Sequence, residues 1–317
     1  MISKAGSGRR LPGLWLAALT ALISGVSVFV NSYGVRAVPN PVVYTTAKNL
    51  VAAVVLLGGA LLLGSRWRQG AVGAGATERT PTHPGRARAA RWLGLAYVGV
   101  IGGGVAFVLF FVGLAHSSAQ PAAFLHDTLV VWVVLLAWPT LRERASSWNL
   151  LAILLLVAGQ LLLSGGIGPL GLGPGAGLVL AATMLWAVET VVAKRLLADV
   201  SASAVAVTRM GVGVVVLVAY LAASGSLAGL LALRPDQWSW ALITGLILSG
   251  YVASWMTALS RARAVDVTSV LVGSVLVTSV LAAATGGVGL LPQAVGLVTV
   301  AAGVALVVRG WPRRVPA

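Results

Sequence analysis

Residues 93–119 read LGLAYVGVIGGGVAFVLFFVGLAHSSA, and residues 238–264 read WSWALITGLILSGYVASWMTALSRARA. The two stretches align without a gap at a constant offset of 145, which sets Gly113-Leu114-Ala115 opposite Ala258-Leu259-Ser260. Each is a long apolar run that passes through a very short turn into the next. Earlier in each half, Lys48 corresponds to Arg209 at an offset of 161. The long 64–91 segment accounts for most of the difference between the two offsets. A repeat on this scale governs the whole organisation of the chain.

Both copies sit in a chain that needs a bilayer. Its 317 residues are 58% hydrophobic and 9% charged, with a mean hydropathy of +0.96. Soluble domains carry roughly 25% charged residues, so this composition cannot cover a globular surface. Ten apolar runs lie near 14–35, 42–64, 93–115, 120–140, 148–166, 175–194, 203–223, 238–259, 265–285 and 291–309. Each is about 20 residues, enough to cross about 30 Å of hydrocarbon as a helix. They do not alternate, as barrel strands would. The first run, which follows Lys4, Arg9 and Arg10, is too long for a signal peptide and shows no cleavage site, so it is read as a membrane span.

Ten spans divide into five per repeat. An odd number makes the second copy enter the membrane from the opposite side. The expected fold is therefore all-α and integral to the membrane: ten transmembrane helices as two inverted five-helix repeats, 14–166 and 175–309. Such repeats offer two interchangeable conformations around a site near the midplane. This is the physical reason to expect a carrier.

The basic residues orient the chain. With both termini cytoplasmic (1–13 and 310–317), eighteen of the 22 Lys and Arg fall on the inner side. Arg36 and Arg234 fall outside, and Lys48 and Arg209 lie within spans. That bias matches the positive-inside rule. Trp15, Trp67, Trp92, Trp138, Trp148, Trp238, Trp240 and Trp311 fall at span ends, where an aromatic belt belongs. The basic cytoplasmic loop 65–92 reads as disordered and lipid-touching. The Gly/Pro stretch around 167–174 reads as an external linker, with no GK[ST] ending to cradle a phosphate.

Several chemistries are excluded. With no cysteine, disulfides and thiolate metal sites are ruled out. The basic residues are spread between apolar runs, which argues against a nucleic-acid partner. No HExxH or GxSxG motif is present, and of three histidines His83 and His116 fall in loops, so neither an enzyme nor a metal or cofactor site is expected. Arg142-Glu143-Arg144 reads as an electrostatic anchor beside the membrane. A channel would want rings of one charge around a pore, and a scaffold has little use for opposite charges in its spans.

Ionisable residues within spans need an explanation, because each costs about 2.5–3.5 kcal/mol on insertion scales. Lys48, Asp127, Glu189 and Arg209 are of this kind, with His126 beside Asp127. At 1.5 Å per residue, Lys48 and Asp127 both lie about 10 Å from the outer end of their spans. Glu189 and Arg209 lie about 8 and 12 Å from the inner end. Two symmetry-related pairs are expected, Lys48 with Asp127 and Glu189 with Arg209. They would bind charged ends of a substrate or carry a coupling proton. Structural ion pairing, or snorkelling of Glu189 and Arg209, is the alternative. Adjacent helix residues face about 100° apart, so His126 and Asp127 need not share a cavity. Tyr44, Trp132, Trp186 and Tyr251 are candidates for stacking on a ring or cation, or for plain packing. Asn31, Asn49 and Gln160 are candidate substrate contacts or interhelical hydrogen bonds. Gly99 and Gly103 have GxxxG spacing, a pattern that a chain with 39 glycines also produces by chance.

One family resemblance is carried by specific stretches. GAGLVLAATMLWAVETVVAKRLLADVSASAVAVTRM at 175–210 resembles the start of the second EamA repeat of the drug/metabolite transporter superfamily. GLAHSSAQPAAFL at 113–125 fits it too, and LRERAS at 141–146 resembles the family's Gly-Glu-Arg motif after the fourth span. The resemblance implies ten helices, cytoplasmic termini, a central cavity and a small-molecule substrate, most commonly exported. Two departures stand out. The proline often found within the fourth and ninth spans is replaced by His126-Asp127-Thr128 and Gly273-Ser274, and the second copy reads Gly286-Gly287-Val288-Gly289 where the first has a glutamate. The expected function is thus a secondary carrier in the cytoplasmic membrane. Substrate, coupling ion and oligomeric state are not fixed by the residues.

Overall fold

The computed structural model describes residues 11–62, 84–116, 119–143, 145–163, 173–286 and 289–311. Among these, nine helical stretches are long and apolar enough to cross a membrane, and Ser147–Leu163 is a shorter apolar one. In chain order they are α1 (Leu11–Ala37), α2 (Pro41–Leu62) and α3 (84–115). Helix α3 runs as Pro84–Tyr97, a π-helical stretch Val98–Val105, and Ala106–Ala115. Next come α4a (Ala119–Asp127), α4b (Leu129–Leu141), α5 (Ser147–Leu163), α6 (Pro174–Leu196) and α7 (Ala202–Ala223). The last are α8 (Pro235–Arg261), α9a (Ala264–Leu271), α9b (Ser274–Ala284) and α10 (Leu290–Arg309). The described residues hold no strand, and each of the ten expected spans coincides with a helix or a helix pair. The chain is a multi-pass integral membrane protein.

Local chemistry sets the helix starts. Asn40 Oδ1 accepts the Val42 and Val43 N–H groups beside Pro41, and Ser201 Oγ accepts from Ala204 N–H. Pro174 and Pro235 open α6 and α8 with their fixed φ and no N–H to satisfy. Two expectations change. Residues 84–91, read from sequence as loop, form the first turns of α3, because an Ala- and Arg-rich segment is a good helix former once a span follows it. The fourth and ninth spans are each broken in the middle. At Thr128 and at Val272-Gly273 the backbone tightens to three-residue spacing, with Val131 N–H on Thr128 O and Gly273 N–H on Val270 O. These are the places where the family resemblance puts a proline, and a Thr and a Gly interrupt the ladder without one. The linker 164–172, most of the 65–92 loop, Arg144 and both terminal segments lie outside the described residues.

Packing follows the two-fold logic of inverted repeats. Helix α3 leaves its own repeat to pack on α6 and α7, while α8 packs on α1 and α2. In the same way α1 meets α9b as α6 meets α4b, α2 crosses α7, and α5 lies along α10. Exchanging α1–α5 for α6–α10 leaves this pattern unchanged. The outside is as apolar as the inside: Leu62 is 88% exposed and Leu291 87%. With no water to exclude between helices in lipid, close packing must hold them together. A Cβ on Gly103 would overlap the Arg209 carbonyl oxygen, and one on Gly213 would overlap that of Gly103. The Gly99/Gly103 spacing is therefore the seam between α3 and α7.

Contacts sort the helix ends into two sets. One, here the basic end, joins Gly13 to Ala262, Arg91 to Asp199 and Arg195 to Thr140. The far end joins Gln237 to Ala37 and Gly175 to His116.

Candidate functional site

The α3–α7 seam holds the most polar part of the interior. Arg209, on α7, forms a two-point ion pair with Glu189 on α6, Nε to Oε1 at 2.5 Å and Nη2 to Oε2 at 3.2 Å. Arg209 is 7% exposed and Glu189 4%, so neither side chain snorkels to a surface. A buried pair of this kind holds only when the remaining hydrogen-bonding groups are met as well. Here the Gly102 carbonyl accepts from Arg209 Nη2 at 3.5 Å and from Trp186 Nε1 at 3.0 Å. Gly102 lies in the π-helical stretch of α3, and a Cβ there would overlap the Glu189 carboxylate. The run of small residues thus brings backbone and ion pair together.

Lys48 occupies the equivalent place on α2, with different company. Its Nζ donates to Asn31 Oδ1 of α1 at 3.1 Å and stands over the rings of Phe111 at 4.8 Å and Tyr44 at 5.5 Å. The Tyr44 hydroxyl donates to the same Asn31 oxygen at 2.8 Å and lies 3.0 Å from the Thr244 hydroxyl of α8. Among the described residues no carboxylate lies within ion-pair distance of Lys48. The expected Lys48–Asp127 pair is not formed. Asp127 instead accepts a hydrogen bond from Gln160 of α5 in a narrow crevice lined also by Phe124, Leu156 and Val272. The reason is helical phase: His126 and Asp127 are neighbours about 100° apart, and it is His126 that turns inward.

Between the two cations lies a layer of rings. Trp186 meets Phe107, Phe110 and His126 with centroids 5.3, 5.4 and 5.1 Å apart. Arg209 stands over Phe107 at 5.5 Å, one helical turn from the Phe111 that carries Lys48. Tyr251 stacks on Trp255 along α8, and Trp132 hydrogen bonds to Thr128 at the break in α4 instead of joining the layer. Sequence reasoning passed over the phenylalanines, although three of the chain's five fall within 107–111. That clustering was the available signal. Asn49 and Thr45 are completely buried, and among the described residues Asn49 Nδ2 and Oδ1, Thr45 Oγ1 and His126 Nδ1 have no hydrogen-bond partner.

A second polar cluster closes the basic end. Glu143 is not an anchor on the lipid surface. Its carboxylate accepts the Ala264 and Val265 N–H groups at 3.1 and 3.2 Å, capping the start of α9a from the other repeat. Lys194 Nζ donates to the Leu259 and Ala262 carbonyls at 2.7 Å each, capping the end of α8. Arg263 grips Asp266 with two 2.7 Å hydrogen bonds, and Asn149 donates to the same carboxylate at 3.2 Å. Burial holds the Glu143 carboxyl above the usual glutamate range, against the pull of those N–H groups and of Lys194 and Arg263. Four segments from both repeats are tied together here.

Comparison with known proteins agrees with this architecture. A solved crystal structure, itself described only as that of a protein, covers 96% of this chain and 100% of its own length with a TM-score of 0.71 at 17% identity. That likeness establishes the fold. No curated protein matches the chain. The model of the EamA-like transporter family matches twice, over residues 11–165 and 173–309, once across each run of five helices. Matched along nearly its whole length, the chain belongs to the EamA-like transporter family.

Proposed function

We propose that this chain is a secondary transporter that moves a small organic metabolite or drug-like solute across the cytoplasmic membrane by alternating access. In this reading the repeats are 14–166 and 175–309, and the basic end faces the cytoplasm, as the distribution of Lys and Arg favours. One observation carries the proposal: two inverted repeats exchange α3 and α8 and meet around buried cations at equivalent positions. A site so placed can open to either side when one repeat rocks against the other. The capping bonds that Glu143 makes on α9a span the repeats, so their release is the step that would open the basic end. Export is the direction we favour, and we assign any coupling proton to His126 or Asp127, in keeping with the partial burial of both.

The test is counterflow in proteoliposomes, screened with labelled amino acids, organic acids, nucleosides, sugars and cationic drugs. A carrier shows saturable uptake accelerated by unlabelled solute inside. Flux that rises linearly without acceleration would indicate a channel. No flux of any solute through monodisperse, well-inserted protein would favour a scaffold.

A further inference from the structure

We infer that the solute is an organic anion, a carboxylate on an apolar or aromatic body, and that Lys48 receives its head group. The inference rests on the carrier reading above and concerns the same central site. Among the described residues the one other buried cation, Arg209, has Glu189, while at the basic end the half-buried Arg263 has Asp266 and the half-buried Lys194 has two backbone carbonyls. Lys48, 6% exposed, has one amide oxygen and two ring faces. An ammonium offers three N–H donors, so two of them lack a polar acceptor.

The neighbouring positions on α2 point the same way. Thr45 lies three residues before Lys48 and four before Asn49, so its hydroxyl sits between the two and all three fall within an arc of about 100° on the helix. Thr45 and Asn49 are completely buried, and among the described residues neither the Thr45 hydroxyl nor either end of the Asn49 amide has a partner. Native proteins rarely leave such groups unpaired, and the exceptions call for a ligand or another reason. An ammonium, an amide N–H₂ and a hydroxyl on one helix side together match a carboxylate, which accepts up to about four hydrogen bonds. A hydroxyl or N–H elsewhere on the solute would satisfy Asn49 Oδ1. The body then faces the rings of Phe107, Phe110, Phe111 and Trp186. A cationic solute would meet Lys48 unfavourably, and Glu189 is already engaged by Arg209.

The test is calorimetric binding to the full chain purified in detergent, using phenylacetate, indole-3-acetate and octanoate. Phenylacetamide and phenethylamine serve as neutral and cationic controls of the same shape. We expect saturable binding of at least one carboxylate, with its amide or amine counterpart at least about tenfold weaker, equivalent to 1.4 kcal/mol. Lys48→Met should weaken the carboxylate at least about tenfold, and Lys48→Arg should largely restore it. Asn49→Leu should also weaken it and serves as the second probe should Lys48→Met fail to fold. Without solute, Lys48→Met should melt no lower than the native chain, which a merely structural lysine would not allow. Saturation by phenethylamine but by none of the carboxylates, up to their solubility limits, would overturn the inference and leave the carrier reading standing. No binding by any of the five probes would overturn it too. Carboxylate binding without saturable flux of any solute would instead sink the carrier reading and leave the anion site in place.

Discussion

The two halves of this molecule put a cation at the same place on their second helix and then treat it differently. In the second half Arg209 meets Glu189 across α6 and α7, with bidentate geometry and a backbone carbonyl to complete it. In the first half Lys48 meets the neutral amide of Asn31. The acceptor comes from the first helix of the repeat in both cases, so the architecture is shared and only the charge is changed. A buried charge that is matched within the protein contributes to structure, and one left unmatched is available to a ligand. The asymmetry divides labour between repeats that are otherwise equivalent.

The comparison can be broken most sharply at Glu189. Glu189→Gln leaves a guanidinium buried without its carboxylate, and a loss of about 3–5 kcal/mol is expected. Thermal melting in detergent would show it, and adding Arg209→Met should recover much of the loss. If Glu189→Gln melts like the native chain, the second half is not the structural one. Asn31→Asp makes the first half resemble the second. It gives Lys48 a counter-charge but loses the hydrogen bond that Asn31 Nδ2 donates to the Ser27 carbonyl, so a net gain of no more than about 1 kcal/mol is expected, while it competes with any anion for Lys48. A more stable variant that still bound carboxylates at full strength would contradict this. Lys48→Met carries the opposite sign to Glu189→Gln, being neutral or stabilising by about 1 kcal/mol, since it removes a desolvated charge with no counter-ion.

The smallest effect is at the basic end. A carboxyl whose pKa is raised on folding binds its proton more tightly in the folded state, so its stabilising contribution is present at low pH and fades as pH rises through the shifted value. Burial raises that of Glu143. The difference in melting temperature between the native chain and Glu143→Gln should therefore shrink from acid to neutral pH. A difference that grows over that range would show that the cap depends on the ionised carboxylate.

Much of the fold was legible in the residues. Ten apolar runs, the 145-residue offset and the segregation of Lys and Arg determine ten helices in two opposed copies, because hydrocarbon thickness fixes span length and an odd count fixes inversion. Lys48, Asp127, Glu189 and Arg209 were visible too, since charge in lipid is conspicuous wherever it falls. Their pairing was legible only in part. Depth along a helix follows from counting, and depth alone brought Glu189 to Arg209 correctly. The direction a side chain faces depends on how its helix is rotated, and Asp127 turns to Gln160 while its neighbour His126 meets Trp186.

The cap that Glu143 makes on α9a was likewise hidden, joining residues 121 positions apart through a backbone that any sequence could supply. So was the ring layer, because Phe107, Phe110 and Phe111 look the same in sequence whether they fill a core or line a site. The sequence by itself determined the number, polarity and symmetry of the helices, which follow from local hydropathy and charge. Only the tertiary structure decided which polar groups are matched and which are left open, because that depends on helix rotation and on contacts between the two repeats.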